Sequence, residues 1–172
     1  MPEDMRYVRP AGNNPAFLRK ALSEVGGELH NSLYGFSRRD LLREGDGVDE
    51  GWCILGIALH LTQVERGVAR QYEAIIHDRD PQLRHVDFDD IPLREDILAA
   101  DEDEVVDEFH YLRRHNTYQL WELDERHWER AGLHPYIGRV TLLDISRELY
   151  RHDLEHLWQL KRMLENFTKA RR

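Results

Sequence analysis

The stretch TLLDISRELYRHDLEHLWQLKRMLENF, residues 141–167, decides the fold class because its apolar positions recur at steps of three and four. That spacing is the period of an α-helix that buries one face. Thr141 followed by Asp144 resembles a capping box, with Asp in place of the usual Glu, and predicts that the helix begins here. The predicted inner positions are Leu142, Ile145, Leu149, His152, His156, Leu160, Met163 and Phe167.

Three more segments have the helical period. The first begins after Asn14, a good N-cap, and reaches about Leu33; the others span about 49–76 and 103–123. No segment reads as a convincing strand. The sequence therefore predicts an all-α four-helix bundle in a single domain, residues 1–172, with its core at about 15–168. Periodicity alone leaves both up-down-down-up and up-down-up-down connectivity open.

Composition and charge exclude several classes of protein. The net charge of the 172 residues is −9 with neutral histidines, so a phosphate backbone is repelled on average and nucleic-acid binding is disfavoured. No apolar run approaches the ~20 residues of a membrane helix, and the N-terminus lacks an apolar signal-peptide core. Cys53 is the one cysteine, which rules out an intramolecular disulfide. We therefore expect a cytoplasmic protein that binds neither nucleic acid nor membrane.

Histidines occupy inner positions on two of the predicted helices. His152 and His156 lie four residues apart, so both imidazoles point the same way, one turn apart. His60 lies on the inner stripe of the second helix, which reads Cys53, Ile57, His60, Val64, Gly67 or Val68, Gln71 and Ile75. If these helices adjoin, three imidazoles converge as in a catalytic zinc site with an open fourth position; nickel, cobalt or iron also accept these ligands. The alternative is a set of hydrogen-bonded core histidines without a metal.

Two stretches carry a resemblance to the DinB/YfiT-like superfamily. GWCILGIALHLTQVE, residues 51–65, resembles the family's second-helix motif, a tryptophan followed by H-[LI]-x-x-x-E. Residues 141–163 resemble the last helix, H-x-x-x-H-x-x-Q, and residues 123–142 resemble its run-in. The resemblance extends over Pro15 to Leu164. The sequence departs from the family at DGVDEGW, residues 46–52, where many members carry Pro-Gly-Lys-Trp.

The resemblance implies a four-helix bundle with up-down-down-up connectivity, often a homodimer. It also implies a divalent metal ion, zinc or nickel, held by His60, His152 and His156. Relatives include transferases that use low-molecular-weight thiols such as bacillithiol, mycothiol-dependent maleylpyruvate isomerases, and proteins described as metal-dependent hydrolases. A small-molecule substrate, and for some members a low-molecular-weight thiol cosubstrate, are therefore expected.

Three functions remain open. The first is a thiol-dependent transferase or isomerase, in which the metal holds a thiolate ready to attack an electrophile. The second is hydrolysis by metal-activated water, which ranks lower because no carboxylate is a persuasive base. Glu65 lies about 140° around the helix from His60, and Asp153 and Glu155 lie on other faces than the histidines. The third is a non-enzymatic metal-binding or dimerising bundle. No catalytic residue is assigned.

Several other side chains near the histidine levels have predicted roles. Five arginines are expected to be surface ion-pairing residues: Arg66, Arg70, Arg113, Arg114 and Arg151. His115 is a weaker candidate for a hydrogen bond to a metal ligand. Trp158 and Tyr150 flank the histidine pair. Packing in the core or at a dimer interface is favoured for both, and the alternative is that one of them walls a pocket.

Overall fold

The computed structural model describes residues 14–169, and four long helices make up most of that part of the chain. They are α1 (Pro15–Ser32), α3 (Ile54–His77), α5 (Glu102–Trp121) and α6 (Leu142–Lys169). Two short helices, α2 (Arg38–Leu41) and α4 (Arg94–Ala99), lie in the connections. The remaining elements are 3₁₀ turns at Gly47–Asp49 and Glu125–Glu129 and the strands β1 (Ala131–His134) and β2 (Gly138–Thr141).

The predicted helix starts are confirmed at both ends of the chain. The Asn14 side chain accepts a hydrogen bond from the Phe17 amide, which caps α1. At α6, the Thr141 amide donates to the Asp144 carboxylate while the Asp144 amide donates to the Thr141 hydroxyl. This reciprocal pair is a capping box built with Asp.

The second long helix begins later than predicted. We expected it near Asp49, but that residue ends a 3₁₀ turn and α3 starts at Ile54 with Cys53 as its N-cap. The physical reason is Gly51, whose φ of +85° is incompatible with a continuous α-helix. Cys53 is buried, as expected of a small core residue.

The expectation of a purely helical chain without strands is wrong in one place. β1 and β2 pair antiparallel, with Ala131 opposite Thr141 and His134 opposite Gly138. Each strand has four residues, which is too short for a reliable period-two pattern. The hairpin delivers the chain directly to the start of α6, so it lies beside the first turns of that helix.

The four long helices have a defined set of directions. α1 runs antiparallel to α5, α3 runs parallel to α5, and α6 runs antiparallel to α3, so the directions in chain order are up, down, down, up. Arg19 contacts Trp121 and His30 contacts His110, which makes α1 and α5 antiparallel. Thr62 contacts Val105 and Glu65 contacts Asn116, which makes α3 and α5 parallel. Tyr72 contacts Ser146 and His60 contacts His152, which makes α3 and α6 antiparallel. In this arrangement α3 and α6, the two helices that carry the predicted ligands, face each other.

Burial follows the predicted stripes closely. All eight inner positions of α6 and all seven of α3 are buried. On α5 the spacing predicts an inner stripe, and the prediction is wrong at one position, because Leu112 is only partly buried and Arg113 beside it is buried instead. The predicted stripe is Val105, Phe109, Leu112, Asn116 and Leu120. None of the helices in the described range 14–169 is long and apolar enough to cross a membrane.

Candidate metal centre

The three histidines predicted from the sequence meet in the interior of the bundle. His60 of α3 is 1% exposed, and His152 and His156 of α6 are 2% and 7% exposed. Their potential ligand atoms all lie within 4.8 Å of one another. The closest pair is His60 Nε2 and His152 Nε2, 2.8 Å apart. The helical spacing and the antiparallel packing of α3 on α6 together bring about this convergence.

A hydrogen bond sets the tautomer of His156. Its Nδ1 lies 2.8 Å from Gln159 Oε1, and an amide oxygen only accepts, so Nδ1 carries the proton. The Nε2 atom is therefore a bare lone pair, which is the form that binds a metal. The final Gln of H-x-x-x-H-x-x-Q thus acts on the second histidine of the motif.

Burial keeps the three rings neutral. Desolvation lowers the pKa of His152 to about 2, with further contributions from His156 and His60. It lowers the pKa of His156 to about 4, where repulsion from His60 adds and the bond to Gln159 opposes. The pKa of His60 is also lowered by burial, and hydrogen bonding to the backbone at Asp90 and Phe88 acts in the opposite direction. All three imidazoles are therefore uncharged at neutral pH, as metal ligands must be.

The donor set fits a divalent ion. Metal–nitrogen bonds of about 2.0–2.1 Å in a tetrahedral site separate the ligand nitrogens by roughly 3.4 Å. The nitrogens here, 2.8 Å apart for the closest pair and at most 4.8 Å apart, bracket that value. Without an ion, His60 and His152 must share one proton between their Nε2 atoms, and the buried His152 Nδ1 has no hydrogen-bond partner. An ion that accepts all three Nε2 lone pairs removes the need for that shared proton.

Two aromatic rings wall the histidine cluster. Trp52 packs edge-on against His60 and His156, each with ring centroids 5.4 Å apart. Phe88 packs edge-on against His152 at 5.1 Å. The pocket role considered for Trp158 and Tyr150 is not seen. Trp158 is 46% exposed, and Tyr150 is buried against Phe17 as expected of a core residue.

A buried ionic network lies next to the histidines. Arg113 of α5 donates to Glu65 of α3, to both carboxylate oxygens of Asp153 of α6 and to the Leu22 carbonyl of α1. Asn116 donates to the second oxygen of Glu65 at 2.7 Å. Because Asp153 adjoins His152 and Glu65 lies on the same helix as His60, this network ties together the two helices that carry the histidines.

Three expectations about charged residues are corrected or refined by this network. Arg113 is buried rather than a surface residue, which corrects that expectation. Asp153 lies on another face than the histidines, as expected, and is fully buried against Arg113. Glu65 faces away from His60, as its position on the helix predicts, and it accepts hydrogen bonds from Arg113 and Asn116 of α5. The sequence did not predict the contact between Arg113 and Asp153, because one buried arginine among exposed ones produces no periodic pattern. Gly26, which has no Cβ and so leaves room for the Arg113 side chain, is a sign of this contact in the sequence.

The remaining candidates lie outside the centre. Arg66 pairs with Glu108, and Arg151 pairs with Glu148 and Glu155, all at exposed or partly exposed positions, as expected of surface ion pairs. His115 is exposed and contacts Gln119, so it makes no hydrogen bond to a metal ligand. The aromatic wall at Phe88 was missed, because residues 77–92 read only as a connection.

Comparison with known proteins supports the fold. The sequence matches no protein-family model and no curated protein. Among solved structures it is similar to YfiT from Bacillus subtilis, described as a probable metal-dependent hydrolase with an unusual four-helix bundle topology. The identity is 17%, the match covers 88% of this chain and 87% of that chain, and the TM-score is 0.69. The chain therefore has the four-helix-bundle fold of YfiT, and the predicted resemblance is confirmed at the level of the fold.

Proposed function

We propose that this chain is a metal-dependent hydrolase in which His60, His152 and His156 hold a zinc or nickel ion. The observation that carries the proposal is the convergence of three buried, neutral imidazoles from two helices, one of them fixed by Gln159 in the ligating tautomer. A divalent ion on three neutral ligands keeps its full charge, polarises a substrate carbonyl and lowers the pKa of a water ligand toward about 7.

The surrounding residues have complementary roles in this proposal. Trp52 and Phe88 shield the centre from bulk water, which strengthens electrostatic interactions inside it. Asp90 is exposed to solvent and lies two residues beyond Phe88, whose ring packs on His152. This position makes Asp90 a candidate for the proton acceptor that hydrolysis requires.

Asp90 changes the ranking of the two enzymatic hypotheses. On the sequence alone, the hydrolysis hypothesis ranked below thiol transfer because no carboxylate was found beside the histidines. The segment of residues 87–90 carries three carboxylates in sequence next to Phe88, whose ring packs on His152. The solved structure with the same fold is itself described as a probable metal-dependent hydrolase, which also supports hydrolysis. Thiol-dependent transfer uses the same three ligands and stays a prediction, as do a small-molecule substrate, a homodimer and a cytoplasmic location.

The test combines metal analysis with a simple hydrolytic assay. Protein purified without a histidine tag is expected to hold about one zinc or nickel ion per chain, and His60→Ala is expected to lose it. Hydrolysis of an activated ester such as p-nitrophenyl acetate should then require the metal, disappear with a chelator and return when the metal is restored. A wild-type protein that binds no metal after zinc and nickel are offered at neutral pH would overturn the proposal. Activity that appears only with an added thiol would favour transfer instead.

A further inference from the structure

A groove of about 650 Å³ opens on the hairpin side of the bundle. Its walls are the loop at residues 85–89, the hairpin at residues 134–140 and the first two turns of α6. Buried Val140 and Ile145 lie among its apolar lining. The groove is thus large enough for a small organic molecule.

The groove continues the inner face that carries the histidines. Ile145 and Glu148 line it, and they precede His152 by seven and four residues, which places all three on one face of α6. On α3, Gln71 lines the groove eleven residues after His60, on the same face and about 16 Å along the helix. Phe88 belongs to both sites, because it lines the groove and its ring packs on His152. A molecule lying in the groove therefore extends from the hairpin toward the metal centre.

One wall of the groove is built from aromatic rings. The rings of His85, His134 and Tyr136 pack against one another with centroids 5.2–5.7 Å apart. The Tyr136 amide donates to His134 Nδ1, so the His134 proton lies on Nε2, which donates to His85 Nδ1 at 3.2 Å. Burial, and secondarily repulsion from His85, lower the pKa of His134. His85 and His134 lie 49 residues apart in the sequence, and the fold brings their rings together.

The uncompensated charge of the groove is negative. Its other charged side chains are engaged by neighbours: Asp144 with Arg147 and Thr141, Glu148 with Arg151, and Arg139 with the Glu129 carbonyl. Asp87 accepts a hydrogen bond only from the Asp89 amide, and neither carboxylate has an ion-pair partner among residues 14–169. Among the described residues, the groove thus has two carboxylates without an ion-pair partner, those of Asp87 and Asp89. It has one cation without a carboxylate partner, Arg139.

We propose that this groove binds the substrate, and that the substrate is an elongated molecule with an ammonium group held by Asp87 and Asp89. The ammonium satisfies the two carboxylates, the rings of the aromatic wall flank its chain, and the rest of the molecule reaches past Phe88 to the histidines. Only the reaction at the histidines rests on the proposed hydrolytic function; the recognition of an amine by the groove does not.

The test uses metal-free protein and three probes of one length, hexylamine, hexanoate and 1-hexanol. Each is titrated into ¹⁵N-labelled protein in the presence of a chelator, and binding is followed by amide NMR shifts. Hexylamine is expected to shift the amides of Asp89 and Tyr136 and to bind at least about tenfold more tightly than hexanoate or hexanol. Hexanoate that binds as tightly as hexylamine, or shifts confined to another surface, would overturn the assignment.

A matched pair of variants assigns the contacts. The double variant Asp87→Asn, Asp89→Asn keeps the shapes of both side chains and an oxygen at residue 87 that accepts from the amide of residue 89. It removes both negative charges and should weaken hexylamine binding about tenfold or more. Asp46→Asn with Glu50→Gln removes the same charge at exposed positions outside the groove and should leave binding unchanged. Equal weakening in both variants would mean a general effect of net charge and would refute a specific site.

The result is separable from the proposed hydrolysis. If amine binding is found but the protein holds no metal, the groove stands and the hydrolase proposal fails. If metal and ester hydrolysis are found but hexylamine does not bind, the hydrolase stands and the assignment of the substrate class fails.

Discussion

His156 donates from Nδ1 to Gln159 Oε1 across 2.8 Å, within one turn of the same helix. The bond leaves Nε2 as the only lone pair of that ring, and it orients the ring toward His60 and His152. Gln159 is itself buried, so its side chain has little freedom to move away. The hydrogen bond thus links the sequence spacing H-x-x-x-H-x-x-Q directly to the chemistry of the centre.

Removing this bond should weaken metal binding without unfolding the protein. In Gln159→Leu, His156 Nδ1 loses its acceptor, the ring can adopt the other tautomer, and zinc affinity should fall about 10–100-fold. Competition with a chromogenic chelator measures the affinity, and circular dichroism checks that the helices persist. Gln119→Leu is the matched control, because Gln119 contacts the exposed His115 at 3.1 Å away from the centre. Equal affinity in the two variants would contradict a role for Gln159.

Loss of Arg113 should destabilise the fold strongly. Arg113→Met leaves the buried carboxylates of Glu65 and Asp153 facing each other without their shared cation, and breaking such a buried pair costs about 3–5 kcal/mol. Urea denaturation of the metal-free protein measures the change in the free energy of unfolding. The matched control is Arg66→Met, because the exposed Arg66–Glu108 pair joins the same two helices, α3 and α5, and should cost less than about 1 kcal/mol. Similar losses in both variants would mean that burial of the network contributes little.

The helical framework and the inward positions of the three histidines were predictable because both follow from periodicity. On α6, every inner position predicted from steps of three and four is buried, including His152 and His156. His60, a predicted inner position of α3, is buried as well. A residue's place on a helix face is local information, so the sequence alone contains it.

The partners of those residues were not predictable, because they depend on how helices pack. In the sequence, no local pattern distinguishes Arg113 from the exposed Arg114 beside it. The contacts that bury Arg113 are with Glu65 and Asp153, which lie on two other helices. Phe88 lies in a connection with no periodic pattern, yet its ring reaches His152. Contacts between distant segments need the register between helices, which no local pattern contains.

The metal-free protein should lose stability as the pH falls below about 6.5. Folded His152 and His156 have pKa values of about 2 and 4, against about 6.5 when unfolded, so the unfolded state binds more protons in that range. Each histidine then costs about 1.4 kcal/mol per pH unit between 6.5 and its folded pKa. Asp153 has the opposite sign: desolvation raises its pKa to about 6, so it stabilises the fold as the pH falls from 6 toward 4 and offsets about one histidine.

Urea denaturation in a chelator at several pH values from 7 to 4 measures this dependence. His152→Leu should flatten the curve by about 1.4 kcal/mol per pH unit, because that ring no longer takes up a proton on unfolding. His115→Gln removes an exposed histidine outside the centre and should leave the slope as it is. Wild-type stability that is constant over this range would mean that the histidines are accessible to protons in the folded state.

Two adjacent glycines in α1 should respond in opposite ways to alanine. A Cβ on Gly27 meets no atom within 4 Å, so Gly27→Ala should stabilise the protein by about 0.5–1 kcal/mol through the higher helix propensity of Ala. A Cβ on Gly26 would lie 2.6 Å from Cγ of Arg113, whose guanidinium is fixed by Glu65 and Asp153 and cannot move aside. Gly26→Ala should therefore cost about 1–3 kcal/mol despite the same gain in propensity. Thermal and urea denaturation of the two variants measure the difference, and a stabilising Gly26→Ala would show that the Arg113 network yields to a single methyl group.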